Sequence, residues 1–155
     1  MKFLADRNLG KLTKWLRILG YDAVIWHGEI GRSFLREGAR QGRVVLTRRR
    51  DMAERNYLGT MLVIYGDKMP QQLTEVIGAY SLDVNTAHIL TICLHCNETL
   101  RSISRTDVED RVPPYVFQTQ QKFRICTNCG QIFWAGTHRD NVCSYLRQHN
   151  LIDHP

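Results

Sequence analysis

Four of the five cysteines in this 155-residue chain form two Cys-x-x-Cys pairs, Cys93-Leu-His-Cys96 and Cys126-Thr-Asn-Cys129, separated by 29 residues. Each tight turn aims two thiolates at one point, and two such turns supply the four soft ligands that tetrahedral Zn²⁺ takes. The residue after each pair is Asn97 or Gly130; both tolerate the left-handed backbone such turns require. All five cysteines lie in the last 63 residues, and an odd number with this spacing argues against a secreted disulfide framework. Four protein ligands leave no open position for a catalytic water, so the expected zinc is structural and folds the segment around it. The spacer is longer than in the commonest zinc ribbons and predicts an inserted hairpin. His95 lies inside the first turn and is expected to face outward. Cys143 has no paired cysteine and reads as an ordinary thiol.

Ahead of the cysteines the pattern is different. Lys2–Ala5 is a short apolar strand ending at Asp6, and Leu9, Leu12, Leu16 and Leu19 follow at helical spacing with Gly20 as a stop. Ala23–Trp26 predicts a second strand, Arg32–Gln41 a helix, and Arg43–Thr47 a buried β-branched strand. A short helix is expected over about 51–56, a fourth strand over Met61–Tyr65, and a helix over Gln71–Tyr80 introduced by Pro70. Strand–helix repetition of this kind predicts an α/β fold with a parallel sheet and helices on both faces. The change of pattern places a boundary between Asn85 and Ile92, giving expected domains over 1–88 and 89–155, the second a small β-rich zinc ribbon.

Apolar residues make up 43% and charged residues 23% of the chain, a globular composition that excludes wholesale disorder. No apolar run approaches the roughly 18 residues needed to span a bilayer, and Met1–Asp6 does not resemble a signal peptide. A soluble, cytoplasmic protein is expected. Its net charge of +6 suits polyanionic partners. The excess is localised: residues 1–92 carry 14 basic and 9 acidic side chains, and Arg dominates between Arg32 and Arg55.

Arg32, Arg36, Arg40 and Arg43 would share a sector of roughly 80° on a helix, and Arg48-Arg49-Arg50 follows them. Arginines so arrayed can track phosphates, though a solvated amphipathic face has the same pattern. In the second domain, basic residues alternate with Tyr115, Phe117, Phe123, Phe133 and Trp134. Exposed aromatics stack on bases, while several of these must fill a small core. Ligands of parallel α/β sheets gather at the carboxyl ends of strands. Asp6 ends the first strand, Glu29 lies beyond the second, Asp51 beyond the third and Asp67 just after the fourth. Acids converging from separate strands suit Mg²⁺ or Mn²⁺, which can activate water against a phosphodiester; singly, each is a helix cap or turn residue.

Taken in order, Phe3-Leu-Ala-Asp6, Leu9-Gly-Lys-Leu12, Lys14-Trp-Leu-Arg17, Leu19-Gly-Tyr-Asp22 and Gly42-Arg-Val-Val-Leu-Thr-Arg48 resemble the Mut-seven C-terminal RNase domain family. Gln72-Leu-Thr-Glu-Val-Ile77, both cysteine pairs, Arg111-Val-Pro-Pro and Phe133-Trp-x-Gly-Thr-His138 extend that resemblance over nearly the whole chain. It implies a PIN-like three-layer nuclease domain fused to a zinc ribbon, and a divalent-metal-dependent ribonuclease that hydrolyses phosphodiester bonds. Asp6, Asp67, Asp51 and Glu29 are the catalytic candidates. Lys11, Arg32, Arg36, Arg40, Arg43, Arg48, Arg49, Arg50, Trp134 and His138 are the RNA-binding candidates, and Cys93, Cys96, Cys126 and Cys129 hold zinc. Where the family typically shows Thr-Arg-Asp, this chain has Thr47-Arg48-Arg49, a cation in place of an expected catalytic acid. The alternative is therefore an RNA-binding protein with a degenerate metal site.

Overall fold

The structure, a computed structural model, describes residues 1–153. Four parallel strands, β1 (Lys2–Asp6), β2 (Asp22–Trp26), β3 (Val44–Thr47) and β4 (Met61–Val63), form a sheet in the order β2-β1-β3-β4. Ala5 lies between Ile25 on one side and Leu46 on the other. The two central strands are buried from Phe3 to Asp6 and throughout Val44–Thr47, as continuous apolar runs must be when both faces of a sheet are covered.

Alternation along the strands divides the core in two. Phe3, Ala5 and Leu46 point to one face and pack with Leu12 and Leu16 of α1 (Gly10–Ile18) and Leu73 and Val76 of α3 (Met69–Tyr80). Leu4 and Val45 point to the other and pack with Phe34 and Leu35 of α2 (Arg32–Gln41) and with Met52. The expected α/β fold with helices on both faces is what the chain forms. Gly20 ends α1 with φ of 89°, and a Cβ there would stand 2.7 Å from the His88 carbonyl oxygen. The short helix expected near 51–56 is a 3-10 turn over Arg50–Glu54.

The second half contains a three-stranded antiparallel sheet, β5 (Arg101–Ile103), β6 (Phe123–Ile125) and β7 (Ile132–Trp134), in that order. β5 and β6 make the expected inserted hairpin, but their connection folds a short helix, α4 (Pro114–Thr119), with proline at its first position, where the missing N–H costs nothing. Val108, Val112, Val116 and Phe123 form a local core there. Phe133 and Trp134 are half-buried parts of this half.

A last helix, α5 (Gly136–Gln148), follows the ribbon and packs back on the first sheet. Val142 and Leu146 lie in the same core as Phe3 and Leu73, and Tyr145 stacks on Trp15 with ring centroids 4.6 Å apart. Among the described residues, no helix is long and apolar enough to cross a membrane.

Candidate functional site

The two cysteine turns fold alike. Asn97 N–H donates to the Cys93 carbonyl at 2.9 Å and Gly130 N–H to the Cys126 carbonyl at 2.8 Å. Both residues sit in the left-handed region, with φ of 61° and 74°. The four Sγ atoms all lie within 4.8 Å of one another, and Cys93 Sγ is 3.8 Å from Cys129 Sγ. A tetrahedral Zn²⁺ with bonds of about 2.3 Å needs sulfur–sulfur edges of about 3.8 Å, so the donor set fits the ion. Backbone N–H groups of Cys129 and Asn128 hold the Cys126 thiol at about 7, despite desolvation acting the other way. Burial pushes the Cys93 thiol up. A cation at the centre resolves that conflict by binding all four as thiolates.

The first cysteine turn is fastened to the edge strand of the parallel sheet. Asn97 Oδ1 accepts the Ala23 N–H at 2.9 Å, and Asn97 Nδ2 donates to Asp22 at 2.5 Å. Arg17, in the last turn of α1, donates to the Ala23 carbonyl and the Leu94 carbonyl, both at 2.7 Å. Asp22 also receives Arg43, with its nearest nitrogen at 2.6 Å. Burial works against the Asp22 charge, but hydrogen bonds from Arg43 and Asn97 outweigh it and hold the carboxyl below its ordinary range. Asp22 opens β2, so the cysteine cluster sits at the amino end of the sheet.

The candidate acids lie at the opposite end. Asp6 is fully buried. Its Oδ1 accepts the Asn8 N–H at 2.8 Å; its Oδ2 accepts the Thr47 hydroxyl at 2.8 Å and the Arg48 N–H at 3.0 Å. Asp51 is gripped by Arg49 through two contacts, Nε to Oδ1 at 3.0 Å and Nη2 to Oδ2 at 2.6 Å. That bidentate partner holds the Asp51 carboxyl below its ordinary value. Asp67 pairs with Arg48 at 2.7 Å. Glu29 is exposed, and its carbonyl accepts the Trp26 indole N–H at 2.9 Å.

Among the described residues, the four cysteines are the group of three or more ligating side chains close enough to share an ion. The acids are not gathered. Asp6 spends both oxygens on protein donors, and guanidinium groups take Asp51 and Asp67. As placed, Asp51 and Asp67 are held by guanidinium groups that a divalent cation would have to displace.

The cationic candidates divide as well. Lys11, Arg32, Arg36, Arg49 and Arg50 are exposed. Arg40 is exposed and paired with Glu37 at 2.5 Å. Arg43 leaves the stripe: its side chain is 11% exposed and tied to Asp22, because Gly42, with φ of 61°, ends α2 before it. Arg49 also donates to the Ile30 carbonyl at 2.9 Å, bridging the loops after β2 and β3. His138 is exposed near the start of α5, and Trp134 is half-buried in the ribbon core.

The Mut7-C RNAse domain matches residues 1–146. The chain belongs to the Mut7-C RNase domain family. Searches of curated proteins and of solved structures give no match. The fold and cysteine cluster of this Mut7-C domain were anticipated by its motifs, since apolar periodicity and Cys-x-x-Cys spacing are local signals.

One feature of the Mut7-C domain had no such signal. An open groove of about 610 Å³ lies beside Asp67, walled by Tyr65, Pro70, Gln71, Thr74 and His149. It joins the turn after β4 to the residue just past α5, 84 positions away in sequence. Only tertiary packing brings them together. Tyr65, an aromatic left at the end of a predicted strand, was the one visible hint.

Proposed function

We propose that the protein is an RNA-binding member of its family that holds phosphates at the arginine-rich carboxyl end of the parallel sheet. The observation that carries this reading is the occupation of the acids: Arg49 grips Asp51, and Arg48 pairs with Asp67. Each guanidinium lowers the negative potential that recruits Mg²⁺ or Mn²⁺ and has to swing aside before an ion binds. What remains is a face carrying Lys11, Arg32, Arg36 and Arg50 in the open. The zinc ribbon serves as scaffold in this reading, with exposed His138 as an added contact. Family membership supports RNA as the ligand.

The same membership favours a second reading, a divalent-metal-dependent ribonuclease centred on Asp6. Both are tested on labelled single-stranded and hairpin RNA, with Mn²⁺, Mg²⁺ or EDTA, at several salt concentrations. Wild type is compared with Asp6→Asn and Arg49→Ala, and zinc content and thermal melting certify each variant as folded. The binding reading expects affinity that falls linearly with the logarithm of salt, with each lost phosphate contact reducing the slope by about 0.7, and no cutting in any tube. A further variant, Arg36→Ala, removes an exposed guanidinium and lowers that slope, whereas Arg49→Ala removes one already paired with Asp51 and lowers it less. Metal-dependent cutting that vanishes in a folded Asp6→Asn establishes the ribonuclease instead.

A further inference from the structure

We propose that the groove between Tyr65 and His149 is a base-binding pocket, taking one unstacked nucleobase of single-stranded RNA. The proposal rests on the RNA-binding reading above and specifies where recognition beyond the phosphates occurs.

Tyr65 is 55% exposed although its neighbour Ile64 is 1% exposed. The backbone beneath the ring is pinned. Glu75 accepts the Tyr65 N–H at 2.9 Å and the Gly66 N–H at 2.5 Å, and Gln72 Nε2 donates to the Gly66 carbonyl at 2.9 Å. A Cβ at residue 66 would stand 2.7 Å from Glu75 Oε1, so the turn admits only glycine without displacing that clasp. The ring is thus an exposed aromatic surface on a fixed base, with its ordering entropy already met in the free protein.

Arg50 lies over the Tyr65 ring at 5.3 Å from the centroid, a cation–π arrangement that also sets a positive charge at the groove edge. Across the groove, His149 is held by Tyr145, with centroids 4.5 Å apart, and Tyr145 in turn stacks on Trp15. His149 is therefore backed by two further rings, and one face of Tyr65 by the Arg50 guanidinium. Pro70 adds apolar surface, and Gln71, whose amide oxygen accepts the Lys68 N–H at 3.1 Å, presents its NH₂ as a donor in the lining.

Of the two acids here, Glu75 is bound to backbone N–H groups and Asp67 is paired with Arg48, and Arg50 adds a second cation at the edge. Arg48 N–H in turn binds Asp6, so the groove opens directly onto the arginine-rich end of the sheet. A flat ligand with an apolar face, a hydrogen-bonding edge and an attached phosphate matches these walls. That is a nucleotide of an unpaired strand, since a base within a duplex keeps both faces covered.

The test compares wild type, Tyr65→Ala and Tyr65→Phe, by fluorescence anisotropy, on a single-stranded oligoribonucleotide, the same strand carrying abasic positions, and a duplex. Tyr65→Ala is expected to weaken single-strand binding roughly 5- to 150-fold, the weight of one base–aromatic stack. Tyr65→Phe binds as wild type does. The abasic strand binds wild type and Tyr65→Ala alike, and the salt slope is the same in all three proteins, because no phosphate contact is removed. Unchanged zinc content and melting temperature certify the exposed-site variants as folded. Salt-sensitive binding that is indifferent to Tyr65 and to abasic positions overturns the base pocket and leaves the phosphate reading standing. A wild-type protein that binds none of the three nucleic acids overturns both.

Discussion

Asp6 shows how a residue expected to act on a metal can be committed to the fold. Its three donors come from Asn8, Thr47 and Arg48, so one carboxylate ties the end of β1 to the end of β3. The Thr47 hydroxyl that donates to it also accepts the Arg49 N–H at 3.1 Å, so the hydroxyl cannot turn round freely. Asp6→Asn substitutes an amide whose NH₂ must face either the Asn8 N–H or the Arg48 N–H. Leaving a buried donor unmatched costs about 1–3 kcal/mol, and denaturant unfolding should show that loss with or without divalent metal. An unchanged midpoint would mean the carboxylate is not structural. The candidate acids were legible one by one, as carboxylates near strand ends, but their partners were not. Whether Arg49 turns to Asp51 or to solvent depends on the position of the Ile30 carbonyl, a contact that no spacing encodes. A second residue-scale test lies on α2. Arg40, followed by Gln41, donates to Glu37 and holds its carboxyl at about 2, below the ordinary 4.5. The folded state thus favours the ionised form: any stabilisation is present above pH 4.5 and is lost as pH falls from there through about 2. The pair is exposed, so the effect on stability is small and the carboxyl itself is the better reporter. By NMR, Arg40→Ala should move the Glu37 midpoint up toward 4.5. Saturating RNA should move it the same way if Arg40 turns to phosphate.

At the scale of elements, α5 departs most from what the sequence suggested. Strands β1 and β3 announced themselves as unbroken apolar runs, and α1 by leucines at helical spacing. In α5 only Val142 and Leu146 are fully buried, two apolar positions in a run otherwise rich in Arg, His, Asp and Asn, and Gly136 at its start weakens the pattern further. The helix exists because the parallel sheet and its helices leave an apolar face to receive it, which makes it a tertiary product. Leu146 is fully buried beside Leu73 and Val76. Leu146→Ala should therefore cost about 2–5 kcal/mol, read as a lower denaturation midpoint of the whole chain. A cost near zero would show α5 to be dispensable to that core. The ribbon hairpin was legible from the long spacer between cysteine pairs. Its α4 connection was not, because six residues opened by Pro113-Pro114 give no helical periodicity to read.

Across the whole molecule, the cysteine cluster and the arginine-rich face occupy opposite ends of one sheet. β1 has five residues, so at about 3.3 Å per residue those ends lie about 13 Å apart along the strands. Two links join the cysteine-bearing half to that sheet, and one of them runs its length. Asn97 and Arg17 fasten the first cysteine turn to β2 at one end. α5 begins just beyond β7, where Arg139 donates to the Thr86 carbonyl at 2.9 Å, and runs to His149 at the groove. Its 13 residues cover about 20 Å at 1.5 Å each, enough to carry the ribbon's position to the far end. The chain should then melt as one unit although its sequence divides near residue 88. Binding a metal only in the folded state stabilises whatever unfolds together with the site. Chelation is expected to release one Zn²⁺ per chain and to lower a single thermal transition, seen alike by far-ultraviolet circular dichroism and by Trp15 fluorescence, read with the other two tryptophans replaced (Trp26→Phe, Trp134→Phe). Asn97→Gly removes the clasp to Asp22 and Ala23, keeps the left-handed turn that φ of 61° requires, and touches no thiolate. In that variant the zinc content should persist while the two probes separate, since the ribbon can then melt apart from the sheet. If chelation of wild type instead leaves the Trp15 transition in place, the two halves are independent, and α5 packs against the sheet without passing on the ribbon's stability.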